Sequence, residues 1–128
     1  MQNGAWLVMF PKVRLPPEEV VKATLDKIRN SKVTKIEEME FTVAVGKTSF
    51  DVTLNDESWV AIETKEFVEE HGDSLANRDE VRNYDVRFEL LFDHRDMGDL
   101  FGQLFSAAEK LAKLTNGVVY EPGNGVFQ

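Results

Sequence analysis

Residues 39–54 constrain the fold more than any other stretch of this chain. Met39, Phe41, Val43 and Val45 alternate with Glu38, Glu40, Thr42 and Ala44; beyond Gly46-Lys47, Phe50, Val52 and Leu54 alternate with Ser49, Asp51 and Thr53. Successive side chains of a strand point to opposite faces, so each run reads as a strand with one apolar face. A two-residue loop led by glycine suits a type II′ hairpin. Such a loop sets Val45 opposite Thr48, Val43 opposite Phe50, Phe41 opposite Val52 and Met39 opposite Leu54. The bulky apolar residues then share one sheet face and the charges share the other, so turn and pattern specify the same register.

A one-sided apolar sheet needs a covering layer. Two amphipathic helices are available to supply it. Pro16-Pro17-Glu18-Glu19 is a helix start, with proline tolerated in the first turn and acids at the positive end of the dipole. Val20, Val21, Thr24, Leu25 and Ile28 follow at helical spacing, and Asn30-Ser31 ends the segment. The second helix has a predicted buried stripe of Met97, Leu100, Phe101, Leu104, Phe105, Ala108, Leu111 and Ala112, with Asp99, Gln103, Ser106, Lys110 and Lys113 off it. Gly117, after Thr115-Asn116, is the expected stop.

Residues 6–10 form a short apolar strand stopped by Pro11, and Tyr84, Val86, Phe88, Leu90 and Phe92 mark a further alternating strand. Residues 118–120 make a last one before Pro122 and the Gly123-Asn124-Gly125 turn. Trp59-Val60-Ala61-Ile62 reads as a short strand apolar on both faces. From 65 to 83 the pattern weakens: Phe67 and Val68 anchor a helical turn, while Leu75 and Val81 stand among charges, so one or two short helical pieces are expected. The order β-α-β-β-β-(mixed)-β-α-β predicts an α+β fold, a two-layer sandwich of a mostly antiparallel sheet with two amphipathic helices on one face.

With 128 residues, 42% of them apolar, the chain suits a single domain over 1–128 that buries about two thirds of its unfolded surface. It has no cysteine, which excludes disulfides, thiol catalysis and thiolate metal sites. The apolar run at 6–10 is too short for a signal-peptide core or a membrane span, so no membrane partner and a cytoplasmic location are expected.

Charge is unevenly placed. Between Asp56 and Asp99 there are 14 acidic and five basic residues, a net of −9, while residues 1–55 sum to +1 and 100–128 to 0. That balance argues against a nucleic-acid partner, which needs clustered Lys and Arg. It favours a basic protein or a cation, or serves solubility alone.

No reaction signature accompanies the charge. Gly46-Lys47-Thr48 looks like the end of a phosphate loop, but Phe41 stands where the earlier glycine belongs and the motif joins two strands. Gly123-Asn124-Gly125 precedes no helix and is not a dinucleotide fingerprint. Asp93-His94-Arg95-Asp96 with Asp99 is the densest polar group: Asp96 is placed to cap the next helix, and a hard cation is the alternative. His71, within Glu69-Glu70-His71-Gly72-Asp73, has no nucleophile motif to serve and reads as a loop histidine. Glu37, Glu38 and Glu40 read as a solvated strand face. No cofactor, metal or catalytic residue is predicted, and an enzyme using His71 or His94 is the least favoured reading.

The residues Asn83-Tyr-Asp-Val-Arg-Phe-Glu-Leu-Leu-Phe92, and those from Leu100 to the closing Leu114-Thr-Asn-Gly-Val-Val-Tyr-Glu-Pro122, resemble small acidic immunity proteins of bacterial toxin–immunity systems. The likeness covers the last third of the chain, at core, helix-stop and terminal-strand positions. It implies a non-enzymatic inhibitor that occludes a toxin, and it transfers no functional residue, because such families vary where they touch the toxin.

The predicted function is a small acidic binding protein for a basic protein partner, with Glu66, Glu69, Glu70, Asp73, Asp79, Glu80, Asp93 and Asp96 as candidate contacts. If Asp93, Asp96 and Asp99 share one end of the sheet with residues 66–80, they form a single patch. The alternative is a homo-oligomeric housekeeping or assembly domain, joined through sheet edges or Trp59, whose acidic surface only solubilises.

Overall fold

The computed structural model describes residues 3–128. Its scaffold is one antiparallel sheet in the order β2-β3-β4-β5-β1-β6-β7. The strands are β1 (Asn3–Phe10), β2 (Lys32–Glu37), β3 (Glu40–Val45), β4 (Thr48–Asn55), β5 (Val86–Asp93), β6 (Val118–Glu121) and β7 (Val126–Phe127). The helices are α1 (Glu18–Asp26), α2 (Trp59–His71), α3 (Arg78–Val81) and α4 (Met97–Thr115). The fold is the expected α+β sandwich, with α1 and α4 together on one face.

The β3–β4 hairpin has the predicted register, from Val45 opposite Thr48 to Phe41 opposite Val52. Gly46 has φ +60° and Lys47 does not enter the left-handed region, as a type II′ loop requires. Only the start differs. Met39 has φ +54° and lies with Glu38 in the β2–β3 turn, so Glu38 is off the strand face assigned to it, although the Leu54 N–H still donates to the Met39 carbonyl at 3.0 Å. Glu18 at the start of α1 holds that turn, accepting from the Met39 N–H at 2.7 Å and pairing with Lys35 at 2.5 Å.

The main core lies between the sheet and the α1/α4 layer. Phe41, Val43, Phe50, Val52, Phe88, Leu90, Val8 and Phe10 meet Val21 and Leu25 of α1 and Leu100, Leu104 and Leu111 of α4 there. Central strand β1 is buried on both faces: Trp6, Val8 and Phe10 enter this core, while Leu7 and Met9 enter a second, smaller one with Val68, Val81, Tyr84, Tyr120 and Phe127. The second core is roofed by α2 and α3, so the mixed segment folds onto the opposite face over β5, β1 and β6.

Four expectations are corrected. Residues 59–62 are the first turn of α2, not a strand. An apolar run fits either element, and Val60, Thr64, Phe67 and Val68 supply the helical spacing that buries one side of α2. Phe101 and Phe105 leave the buried stripe of α4, at 53% and 41% exposed, because at 100° per residue they fall to one side of the Leu100, Leu104 and Leu111 line rather than on it. The left-handed stop of α4 is Asn116 (φ 50°); Gly117 is needed for room instead, since a Cβ there would lie 2.3 Å from the Met9 carbonyl. Tyr84 precedes β5 and turns into the second core.

Candidate functional site: the acidic surface of α2 and its surroundings

Helix α2 crosses the sheet from β5 to β6. Near its start the guanidinium of Arg87 on β5, only 5% exposed, pairs with Glu63 at 2.6 Å and with Glu89 at 2.8 Å, and it lies 5.3 Å from the Trp59 ring. Asn55 donates to the same Glu89 carboxylate at 3.0 Å. Towards its end, Phe67 stacks on Tyr120 at 4.5 Å, and His71 packs against the backbone of Gly125, which has φ +62°. The burial of Tyr120, then the nearby Glu70 and Glu63 carboxylates, pushes its hydroxyl pKa up.

One flank of α2 is closed by α3. Arg82 pairs with Glu69 at 2.9 Å, and Lys65 donates to the Arg82 carbonyl at 3.2 Å. At 100° per residue the opposite flank carries Trp59, Glu63, Glu66 and Glu70, spaced i, i+4, i+7 and i+11. Trp59 is 46% exposed. Among the described residues Glu66 has no hydrogen-bond or ion-pair partner, and Glu70 meets only His71, at 3.5 Å. Beyond Glu63, which Arg87 holds, this flank joins an exposed aromatic to two carboxylates, Glu66 and Glu70, that no Lys or Arg among the described residues neutralises.

The other predicted contacts divide differently. Asp73 pairs with Arg78 at 3.4 Å, and Glu80 accepts from the Tyr84 hydroxyl at 3.0 Å and lies 3.6 Å from Arg14. Asp79 is exposed on α3 without an ionic partner among the described residues. Asp93 is held by Arg95 at 2.6 Å, and that bond, with the Arg95 N–H, lowers its pKa to about 2. Asp79 and Glu80 precede β5, whereas Asp93 is its last residue and Asp96 and Asp99 follow it, so the length of the strand, about 23 Å, separates Asp79 and Glu80 from those three. Asp79 and Glu80 therefore do not share the end of the sheet that Asp93, Asp96 and Asp99 occupy.

Asp96 makes no side-chain cap to α4. Asp93 accepts from the Arg95 N–H instead, because a 3-10 turn over His94–Asp96 precedes the helix and puts the first free amide two residues after Asp93. Among the described residues no group of three or more His, Cys, Asp or Glu is placed to hold an ion. His94 lies edge-on to Phe92 at 5.5 Å, at the rim of a cleft of about 580 Å³ between Asn3–Trp6 and the turn after β6. No described helix is long and apolar enough to cross a membrane.

Sequence reasoning located the acidic segment but missed Arg87, whose alternation within β5 gave no hint of burial. Its signal was the pair Arg87 and Glu89 on the polar face of an otherwise apolar strand. Compared with family models, curated proteins and solved structures, the chain matches none.

Proposed function

We propose that this chain is a non-enzymatic acidic binding protein that takes a basic protein partner on the flank of α2 remote from α3. The observation that carries the reading is the shared placement of Trp59, Glu66 and Glu70: an exposed aromatic anchor beside unneutralised carboxylates. Aromatic residues dominate interface energetics, and surrounding charges of one sign steer an oppositely charged partner and raise its association rate. Glu69, Asp73, Glu80 and Asp93 contribute less to that field, since each is matched by an arginine of the same chain. Asp79 and Asp96 are outlying contacts. The immunity-protein likeness of the C-terminal third supports a cytoplasmic inhibitor of a basic toxin domain as the biological form of this activity.

The test is affinity capture from the native host with the wild-type chain and with a Glu66→Lys/Glu70→Lys variant, followed by titration of the captured protein. A basic protein whose affinity drops steeply from low to moderate salt, and which the variant fails to hold, supports the reading. Affinity indifferent to both salt and charge reversal sinks it. For the immunity form, co-expression must restore growth to cells producing the captured protein.

A further inference from the structure

The chain holds three Asn-Gly pairs, Asn3-Gly4, Asn116-Gly117 and Asn124-Gly125, and the fold treats them differently. An asparagine followed by glycine is prone to cyclise, because no Cβ shields the next backbone nitrogen from the carboxamide. The reaction needs that nitrogen released from its hydrogen bond, and a backbone free to bring it onto the side-chain carbonyl carbon.

Two of the pairs are locked. Gly4 lies in the β1–β5 ladder opposite Phe92, and even a Cβ there would overlap the Phe92 ring, so this backbone has no room to turn. The Gly117 N–H donates to the Ala112 carbonyl at 2.9 Å, closing α4, and the Met9 carbonyl crowds its α-carbon. Asn124 stands instead in the exposed turn 122–125 between β6 and β7, and among the described residues its carboxamide makes no hydrogen bond. The Gly125 N–H reaches the Pro122 carbonyl at 3.3 Å, a longer bond than the one at Gly117. Gly125 has φ +62°, and a Cβ there would lie 2.9 Å from the His71 imidazole. Turn and packing thus keep glycine at the position that makes Asn124 reactive.

We propose that Asn124 is a modification site, at which the folded chain converts spontaneously to aspartate and isoaspartate. The Gly125 nitrogen, its proton passed to water, bonds to Cγ of Asn124; the Cγ–Nδ2 bond breaks, and Nδ2 takes up a proton and leaves as ammonia. Water then opens the cyclic imide. Attack at Cγ breaks the new bond and leaves aspartate. Attack at the main-chain carbonyl carbon breaks the original peptide bond and leaves isoaspartate, whose chain runs on through Cβ and Cγ. Both products add a negative charge, and isoaspartate adds an extra backbone atom to a turn that leads into a strand of two residues. That strand, β7, holds Phe127 against Tyr120 at 4.5 Å, and the Gln128 N–H after it donates to the Val119 carbonyl at 2.9 Å. The longer turn moves Gly125 from under His71 and releases β7 from β6.

Peptide mapping of the full chain, aged in its folded state at physiological temperature and pH, tests this. Chymotryptic cleavage after Tyr120 puts Asn116 and Asn124 on separate peptides, and mass with retention time scores each product. Asn124 is expected to convert at least about tenfold faster than Asn3 or Asn116, the factor that one further backbone hydrogen bond is worth. In urea the three are expected to convert at similar rates. Asn124→Gln, whose longer side chain closes a larger and slower ring, is expected to remove the fast conversion and to leave the Tm unchanged. In the aged chain the Gln128 amide should exchange with deuterium faster than in the fresh one. A folded chain in which Asn124 converts no faster than Asn3 and Asn116 overturns the proposal, as does fast conversion that survives Asn124→Gln. Unchanged exchange at Gln128 in the isoaspartate form overturns the release of β7.

Discussion

Arg87 on β5 and Glu63 on α2 face each other across the second core, with Nη1 2.6 Å from Oε1, and this pair fixes where α2 lies on the sheet. The guanidinium is almost wholly removed from water, its second arm is held by Glu89, and Trp59 covers it from the helix side. A charge buried to this degree is tolerable only when its partners are present, so the network positions the first turns of α2 and the Trp59 ring with them.

Arg87→Ala leaves Glu63 and Glu89 partly buried without a counter-charge and is expected to cost about 3 kcal/mol of stability. Urea unfolding measures it, and near-ultraviolet circular dichroism reports the loosened Trp59. In a double-mutant cycle Glu63→Gln should recover part of that loss, because one stranded carboxylate is then gone. A cost below about 0.5 kcal/mol would place the pair among ordinary surface ion pairs.

Asp93 gives a pH dependence of known sign. Its pKa falls from the ordinary 3.8 to about 2, first through the Arg95 side chain and then through the Arg95 N–H. A depressed carboxylate pKa contributes stability that is present above the unfolded value and is lost as pH falls through the folded one. Asp93→Asn retains a cap acceptor but removes the charge. The variant should therefore be less stable than wild type at neutral pH, with the gap closing between pH 3.8 and about 2. Equal slopes for both proteins in thermal melts across that window would rule this out.

Two glycine substitutions should act in opposite directions. Gly117→Ala sets a Cβ 2.3 Å from the Met9 carbonyl, a contact with backbone that cannot swing aside, and is expected to destabilise by about 2–3 kcal/mol. Gly98→Ala meets nothing and should stabilise α4 by about 0.5–1 kcal/mol. Chemical denaturation of dilute protein distinguishes them.

Neighbouring residues on α4 should likewise differ. Leu104 is fully buried and Leu104→Ala is expected to cost about 3 kcal/mol, whereas Phe105→Ala, which removes a ring already 41% exposed, should cost about 1 kcal/mol or less. Similar losses at both positions, again in dilute protein, would mean that the helix is rotated from the orientation described.

How far the fold was legible depended on whether an element buries one face against a neighbour close in sequence. The β3–β4 hairpin from Phe41 to Val52 and the α4 stripe of Leu100, Leu104 and Leu111 were readable to the residue. Strand β2 was not, since none of its six residues is buried and an edge strand with Lys32, Lys35 and Glu37 shows no apolar alternation. Helix α2 was misread at its start, because Trp59-Val60-Ala61-Ile62 is apolar in every direction and only the later spacing of Thr64 and Val68 identifies the period. Strand β7, two residues long, exists through its pairing with β6.

The candidate site divides along the same line. The sequence by itself determined how many carboxylates the segment 56–99 carries, that no thiol chemistry is possible, and that the apolar face of the β3–β4 hairpin would be covered by α1 and α4. Which carboxylates face an arginine was decided only by the tertiary structure: Glu69 and Arg82 are 13 positions apart, Glu63 and Arg87 are 24, and their meeting depends on how α2 and α3 settle on the sheet. Pattern and turn chemistry act over a few residues and are written locally. Charge neutralisation acts through space over a few ångströms, so Glu66 and Glu70 became distinguishable from Glu69 only once the chain had folded.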